Sequence, residues 1–191
     1  MNAEGHFIFA LASAILVKKI SCFPPLSQGD WWHIISGAVL TCLLPDLDHP
    51  KSLLGQRLFW LSVPIAYIFG HRGFTHSFMA IIAGILFFTL CLPQEFIPLD
   101  VYYAMIIGYS SHIMADILTP AGVPLLWPYR CRFRLLLFSS ATSKQLKRLC
   151  TATLLFALLY PDNICIFQYL VVIDTIKLLW QRVYANFYIS C

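Results

Sequence analysis

Two imidazoles, a guanidinium and two hydroxyls fall within seven residues at His71-Arg72-Gly73-Phe74-Thr75-His76-Ser77, directly before the most apolar stretch of the chain. Polar groups of this kind are costly beside hydrocarbon unless they bind something. His and Asp recur at the edge of an apolar run in three other places: His6, the turn Pro45-Asp46-Leu47-Asp48-His49, and the pair His112 and Asp116. Imidazole mixed with carboxylate suits zinc first, with manganese, iron or nickel as alternatives, and suits magnesium or calcium less well. One ion takes about four protein ligands, so eight candidates allow a single ion or a bridged pair. Either could activate water against a phosphorus or acyl centre.

Each patch also has a plainer explanation. His112 and Asp116, four apart on one helix face, could bind an ion or simply hydrogen-bond a neighbouring helix. His71 and His76, five apart, would splay by about 140° on a continuous helix. Gly73 is therefore expected to break the chain between them, with Thr75 capping the helix that follows. Asp46 and Asp48 could solvate a helix end, and His6 alone could be interfacial. Arg72, inside the cluster, can grip a phosphate bidentately or anchor a membrane face. No Gly-x-Ser-x-Gly elbow is present, and Ser77 and Ser111 are expected to hydrogen-bond rather than react.

Composition decides where such patches sit. Of 191 residues, 59% are hydrophobic and only 12% charged, and the mean hydropathy is +0.74. A soluble domain carries about 25% charged residues, so much of this surface faces something other than water. The expected fold is all-α: a polytopic membrane helical bundle with short and re-entrant or interfacial helices, in one domain over residues 1–191. The net charge of +4 is not gathered on a soluble module, which argues against nucleic acid as a partner. Seven cysteines without a C-x-x-C read as reduced thiols.

Apolar runs place the elements. His6–Val17, extended to Phe23, forms a first span. Asp30 caps a second helix from Trp31 to Leu44, stopped by Pro45. Residues 50–57 are a polar connection. Leu58–Gly70, short and holding Pro64, is expected to turn back rather than cross. Gly73–Gln94 has 22 residues without formal charge and is the best transmembrane candidate. Val101–Leu118 returns, and Leu149–Tyr160 forms a later helix. Beyond Ile164, Asp174, Lys177 and Gln181 give one polar face, as in an interfacial helix. His6, the Asp46–His49 turn, His71, His76, His112 and Asp116 then meet at one face. His33 belongs to the other, and Trp127 and the alternating Arg130, Arg132 and Arg134 suit an interface. The shared face also collects Lys51, Arg57, Arg72, Lys144, Lys147 and Arg148, against Lys18, Lys19, Asp30, Glu95 and Asp100 opposite. Positive loops mark the cytoplasmic side.

Glu4-Gly5-His6, Gly29-Asp30-Trp31-Trp32-His33, the run Leu44 to Ser52 (LPDLDHPKS), Gly70 to Ser77 (GHRGFTHS), Ser111 to Asp116 (SHIMAD) and Thr119 to Pro128 (TPAGVPLLWP) together resemble the YdjM family of bacterial inner-membrane, metal-dependent hydrolases. The likeness covers a motif-bearing core from 3 to 135, and the region 139–191 is less typical. The resemblance implies a multi-pass inner-membrane enzyme whose members are described as LexA-regulated, hence part of the SOS response. Carried onto this chain, its metal ligands are His6, Asp46, Asp48, His49, His71, His76, His112 and Asp116. Asp48, His76 and Arg72 are expected to carry catalysis, on a lipid or phosphoester substrate at the cytoplasmic leaflet. The competing expectation is a non-enzymatic metal transporter or sensor using the same ligands, or a metal that merely staples short helices.

Overall fold

The computed structural model describes residues 2–20, 23–91, 96–129, 131–135 and 142–162. Among the described residues eight α-helices follow in order: α1 Ala3–Ile20, α2 Pro24–Ser27, α3 Trp31–Thr41, α4 Leu53–Arg57, α5 Phe59–Phe69, α6 Phe78–Cys91, α7 Leu99–Ile117 and α8 Ser143–Leu159. Two short 3-10 turns, Pro45–Asp48 and Phe74–His76, interrupt them. An antiparallel bridge between Val123 and Phe133 is the sole β-type pairing among the described residues. The all-helical expectation holds. The expected polar face on Asp174, Lys177 and Gln181 lies outside the described residues, as do Glu95 and Arg130.

The helices differ from the expected spans. No described helix is both long and apolar enough to cross a membrane. α1 and α7, with 18 and 19 residues, have the length, but α1 carries Glu4, Lys18 and Lys19, and α7 carries Asp100, His112 and Asp116. Within the uncharged run after Gly73 the described helix begins at Phe78 and is followed to Cys91, because the first residues of the run are drawn into a turn around Asp48. Thr75 does not cap α6: its hydroxyl donates to Asp48, and Ser77 Oγ accepts from Ala80 N instead. Residues 53–57, expected as loop, form α4 with Ser52 as its cap. α8 starts six residues earlier than expected, because Thr142 and Gln145 make a reciprocal capping box.

α1, α3, α7 and α8 make the central bundle. α1 runs one way and α3 and α7 the other. His6, near the start of α1, stacks on His112 near the end of α7 at 3.7 Å between ring centroids. At the far end Lys18 reaches the carbonyls of Ser27 and Gly29, while Asp30 N and His33 Nδ1 both donate to Asp100 Oδ2 at 3.1 and 2.9 Å. α8 runs parallel to α1, since Lys147 contacts Glu4 at one end and Lys19 donates to Leu158 and Tyr160 carbonyls at the other. His33 therefore lies a bundle's length from the first four patches, as the sequence suggested.

The core is made of small residues. Ala14, Ala38 and Ala104 pack with Leu26 and Ile34, and Ala12 and Ala157 join α1 to α8 with Ile15. Small side chains let helix backbones approach closely, the packing used where lipid rather than water surrounds a bundle. Large apolar groups point outward instead. α5 buries only Ser62 and α6 only Ala80, whereas Trp60 is 72% exposed, Tyr67 91% and Leu90 78%. Contiguous exposed apolar surface on this scale marks a contact with membrane or protein.

Candidate metal centre

α5 is only 11 residues long, about 17 Å at helical rise, and Gly70 ends it with φ at +73°. The chain then folds back over the Pro45–Asp48 turn. Gly73 is required here: a Cβ would lie 2.0 Å from Phe69 O. Arg72 adopts φ +56°, a left-handed conformation uncommon outside glycine. That conformation sends its backbone N–H to Asp48 Oδ2 at 2.8 Å and its Nη2 to Asp116 Oδ2 at 3.0 Å. His71 and His76 thus return to the end of the bundle that holds His6.

Two histidines have their tautomers set by the backbone and Asp48. His112 Nδ1 lies 2.6 Å from Cys42 O, and a carbonyl only accepts, so Nδ1 carries the proton. His76 Nδ1 likewise donates to Asp48 Oδ2 at 3.1 Å. In both rings Nε2 is left as a bare lone pair, and neither Nε2 has a hydrogen-bond partner although both are buried. Both nitrogens of His6, itself 1% exposed, are also unpartnered. Unsatisfied buried polar atoms are rare and need an explanation.

The orphaned nitrogens face two carboxylates. His6 Nε2 is 3.5 Å from Asp116 Oδ1. His76 Nε2 is 3.6 Å from Asp116 Oδ2 and 4.0 Å from Asp46 Oδ1. His112 Nε2 lies 3.6 Å from Asp46 Oδ1 and 3.9 Å from Asp116 Oδ2. Two overlapping trios, His6-Asp46-His112 and His76-His112-Asp116, have donor atoms within 4.8 Å of one another. The trios share one His112 lone pair, which binds one ion at a time. Five of the eight expected ligands therefore converge, and a borderline divalent ion fits the set. Asp46 is 20% exposed while the other four are at most 1% exposed, so the cluster opens to its surroundings on the Asp46 side.

Asp48, His49 and His71 stand around this group and belong to neither trio. Fully buried Asp48 accepts from His71 Nδ1, His76 Nδ1, the Thr75 hydroxyl and Arg72 N, using the roughly four lone-pair sites of a carboxylate. Burial pushes its carboxyl pKa up, but hydrogen bonds from His71, His76 and Thr75 outweigh that and hold it below the usual range. His71 is half exposed and its ring lies 4.5 Å from that of His49. Asp48 and His76 form the carboxylate–histidine pair that typically orients a metal ligand. Asp48→Asn would turn an amide N–H toward these donors, with an expected loss of about tenfold to 100-fold in metal affinity. Competition with a chromophoric chelator measures it; a loss as deep as that of a ligand variant would place Asp48 on the ion itself.

The sequence did not single out Cys42, whose carbonyl fixes His112, or Tyr109, whose hydroxyl donates to Thr75 O at 2.5 Å. Backbone acceptors carry no residue-type signal, so Cys42 was not recognisable. Tyr109 was, since it lies three residues before His112 on the same helix face. Ser77 and Ser111 bond to Phe74 O and Gly108 O within their own turns. Trp127 packs edge-on against Phe69 and Phe74.

The family model described as "YdjM inner membrane protein" matches residues 1–185. Relatives named "Inner membrane protein YdjM" from Escherichia coli (strain K12) and Shigella flexneri are each 54% identical over 166 residues, covering 86% of this chain and 85% of theirs. "Uncharacterized protein YvsG" of Bacillus subtilis (strain 168) is 32% identical over 144 residues, 75% of this chain and 83% of its own. No solved structure matches the chain significantly. Residue by residue and over nearly its whole length, the chain belongs to the YdjM family of inner membrane proteins.

Proposed function

We propose that this protein is an inner-membrane, metal-dependent hydrolase, with its ion held through His112 by ligands drawn from His6, Asp46, His76 and Asp116. The observation that carries the metal is the set of three buried imidazoles with unpartnered nitrogens, turned toward two carboxylates. A structural hydrogen-bond network would leave fewer buried atoms unsatisfied. When bound, a divalent ion supplies Lewis acidity and makes water a nucleophile at neutral pH. Asp48 holds the proton on His76 Nδ1, and the Cys42 carbonyl holds the one on His112 Nδ1. Arg72 grips Asp116, and its buried Nε–H has no acceptor, which leaves a charge-assisted donor for an incoming phosphoryl or carbonyl oxygen.

The membrane setting is part of the proposal. The names of the relatives and the outward-facing Trp60, Tyr67 and Leu90 support it. Short helices such as α5 and α6 enter the bilayer without any one needing to cross it alone, and Arg72, Lys51, Arg57 and Lys147 lie near the site end. Their sign supports a cytoplasmic setting for that end.

The detergent-purified protein is expected to carry roughly one divalent ion per chain and to hydrolyse phospholipid or lipid-phosphate substrates in a chelator-sensitive way. Elemental analysis and a hydrolysis screen with and without chelator measure both. Stoichiometric metal with no turnover, together with ion flux into reconstituted vesicles, would favour the transporter alternative. Unfolding on chelation would leave a structural staple.

A further inference from the structure

Between α6 and α7 lies an open cavity of about 110 Å³, against the ~10–15 Å³ that admits one water. Ile81, Gly84, Ile85 and Phe88 form one wall and Tyr102, Met105 and Tyr109 the other. Thr41 at the end of α3 and Leu44 in the turn after it also line it, Leu44 lying two residues before Asp46. Tyr102, Met105, Tyr109, His112 and Asp116 follow one another at spacings of three and four, so the groove and the ion ligands occupy a single stripe of α7. On the α6 side, Ala80 at the groove's end lies one turn past His76. The groove's lining on α7 thus continues along the same stripe into His112 and Asp116, and Leu44 and Ala80 bring it close in sequence to Asp46 and His76.

Its polar groups near the cluster are already engaged. Thr41 Oγ1 donates to Met105 O at 2.7 Å and the Tyr109 hydroxyl to Thr75 O. An apolar groove of this kind stays dry and takes hydrocarbon. It adjoins the exposed apolar face of α6, where Ile82, Leu86 and Phe87 are about half exposed, so its open side is continuous with the surface assigned above to the bilayer. A ligand must be apolar along the groove and polar at the end where Arg72 and the carboxylates stand.

We infer that the α6–α7 groove holds one acyl chain of a membrane lipid and thereby presents the lipid's polar end to the metal centre. The inference rests on the hydrolase reading for its purpose, but occupancy can be read without turnover. Gly84 provides the test, because a Cβ there meets nothing within 4 Å. Gly84→Leu projects a side chain into the groove from a position where the Cβ itself meets no neighbour.

The full-length protein, reconstituted in phosphatidylglycerol vesicles doped with a lipid carrying a diazirine on its acyl chain, is photolysed and the adducts are mapped. Labelling is expected to concentrate on Ile81, Ile85, Met105 and Ile106, and to fall about fivefold or more in Gly84→Leu. Leu90→Phe, on the outer face of α6, should leave it in place, and unchanged metal content certifies that both variants are folded. Labelling spread evenly over exposed α5 and α6, insensitive to Gly84→Leu, would overturn the inference. So would chain-to-chain adducts showing a second copy seated in the groove. Groove labelling without chelator-sensitive hydrolysis would sink the hydrolase and keep the groove; hydrolysis with even labelling would do the reverse.

Discussion

Asn in place of His112 is expected to leave the protein folded and nearly free of metal. The substitution is chosen for its shape. An Asn side chain can set its amide N–H near the position of the imidazole Nδ1, so the Cys42 carbonyl, 2.6 Å from that nitrogen, keeps a donor. What disappears is Nε2, the lone pair common to both donor trios. Loss of an outer partner costs about tenfold to 100-fold in affinity, and removing a ligand outright should exceed that, on the order of 100-fold or more. Turnover should fall with it, while the melting temperature of the metal-free protein stays near that of the chelated parent. Metal titration and thermal unfolding in detergent make the two measurements. Parent-like affinity in His112→Asn would show that the ion, if any, sits elsewhere.

The second large effect concerns no polar group. Gly108 in α7 faces α3 so closely that a Cβ would lie 2.1 Å from Ala38 O and 2.5 Å from Thr41 Oγ1. Ala38 O is backbone and cannot swing aside, so the two helices must separate. Separation would break the Thr41–Met105 hydrogen bond and carry Cys42 away from His112. Alanine normally favours a helix by about 1 kcal/mol over glycine, but overpacking of this severity costs about 3 kcal/mol. Gly108→Ala should therefore lower Tm by several degrees, roughly 2–4 °C per kcal/mol for a chain of this size, and weaken metal binding as well. Gly84→Ala, with open space around it, is the matched control and should hold or raise Tm. A neutral Gly108→Ala would mean that α3 and α7 are not this close.

The two variants reach the same centre by different routes, and Asp48→Asn adds a third. His112→Asn removes a donor, Asp48→Asn mis-sets one, and Gly108→Ala moves the element that carries one. Ranked metal affinities for the three separate ligand, orienting residue and scaffold. After chelation Gly108→Ala should still destabilise the protein, as should Asp48→Asn, which leaves buried donors without an acceptor, whereas His112→Asn should not.

The residue types and their order along the chain were enough to identify a His/Asp cluster, to make the fold helical and to require that residues 58–70 not carry His71 away from Asp48. Apolar periodicity and local spacing contain that information, and so do Pro45 and Gly73 as chain breakers. Tertiary structure alone decided which of the eight side chains face one another. Asp46 and Asp48 are two residues apart and alike in kind, yet the 3-10 turn sends one toward His112 and surrounds the other with hydrogen-bond donors. Helix length was equally beyond the sequence. The run after Gly73 carries no formal charge, and only the pull of Asp48 on Thr75 and His76 decides that the helix starts at Phe78. Hydrophobicity is summed along the chain, whereas a carboxylate's choice of partners depends on what the fold brings to it from afar.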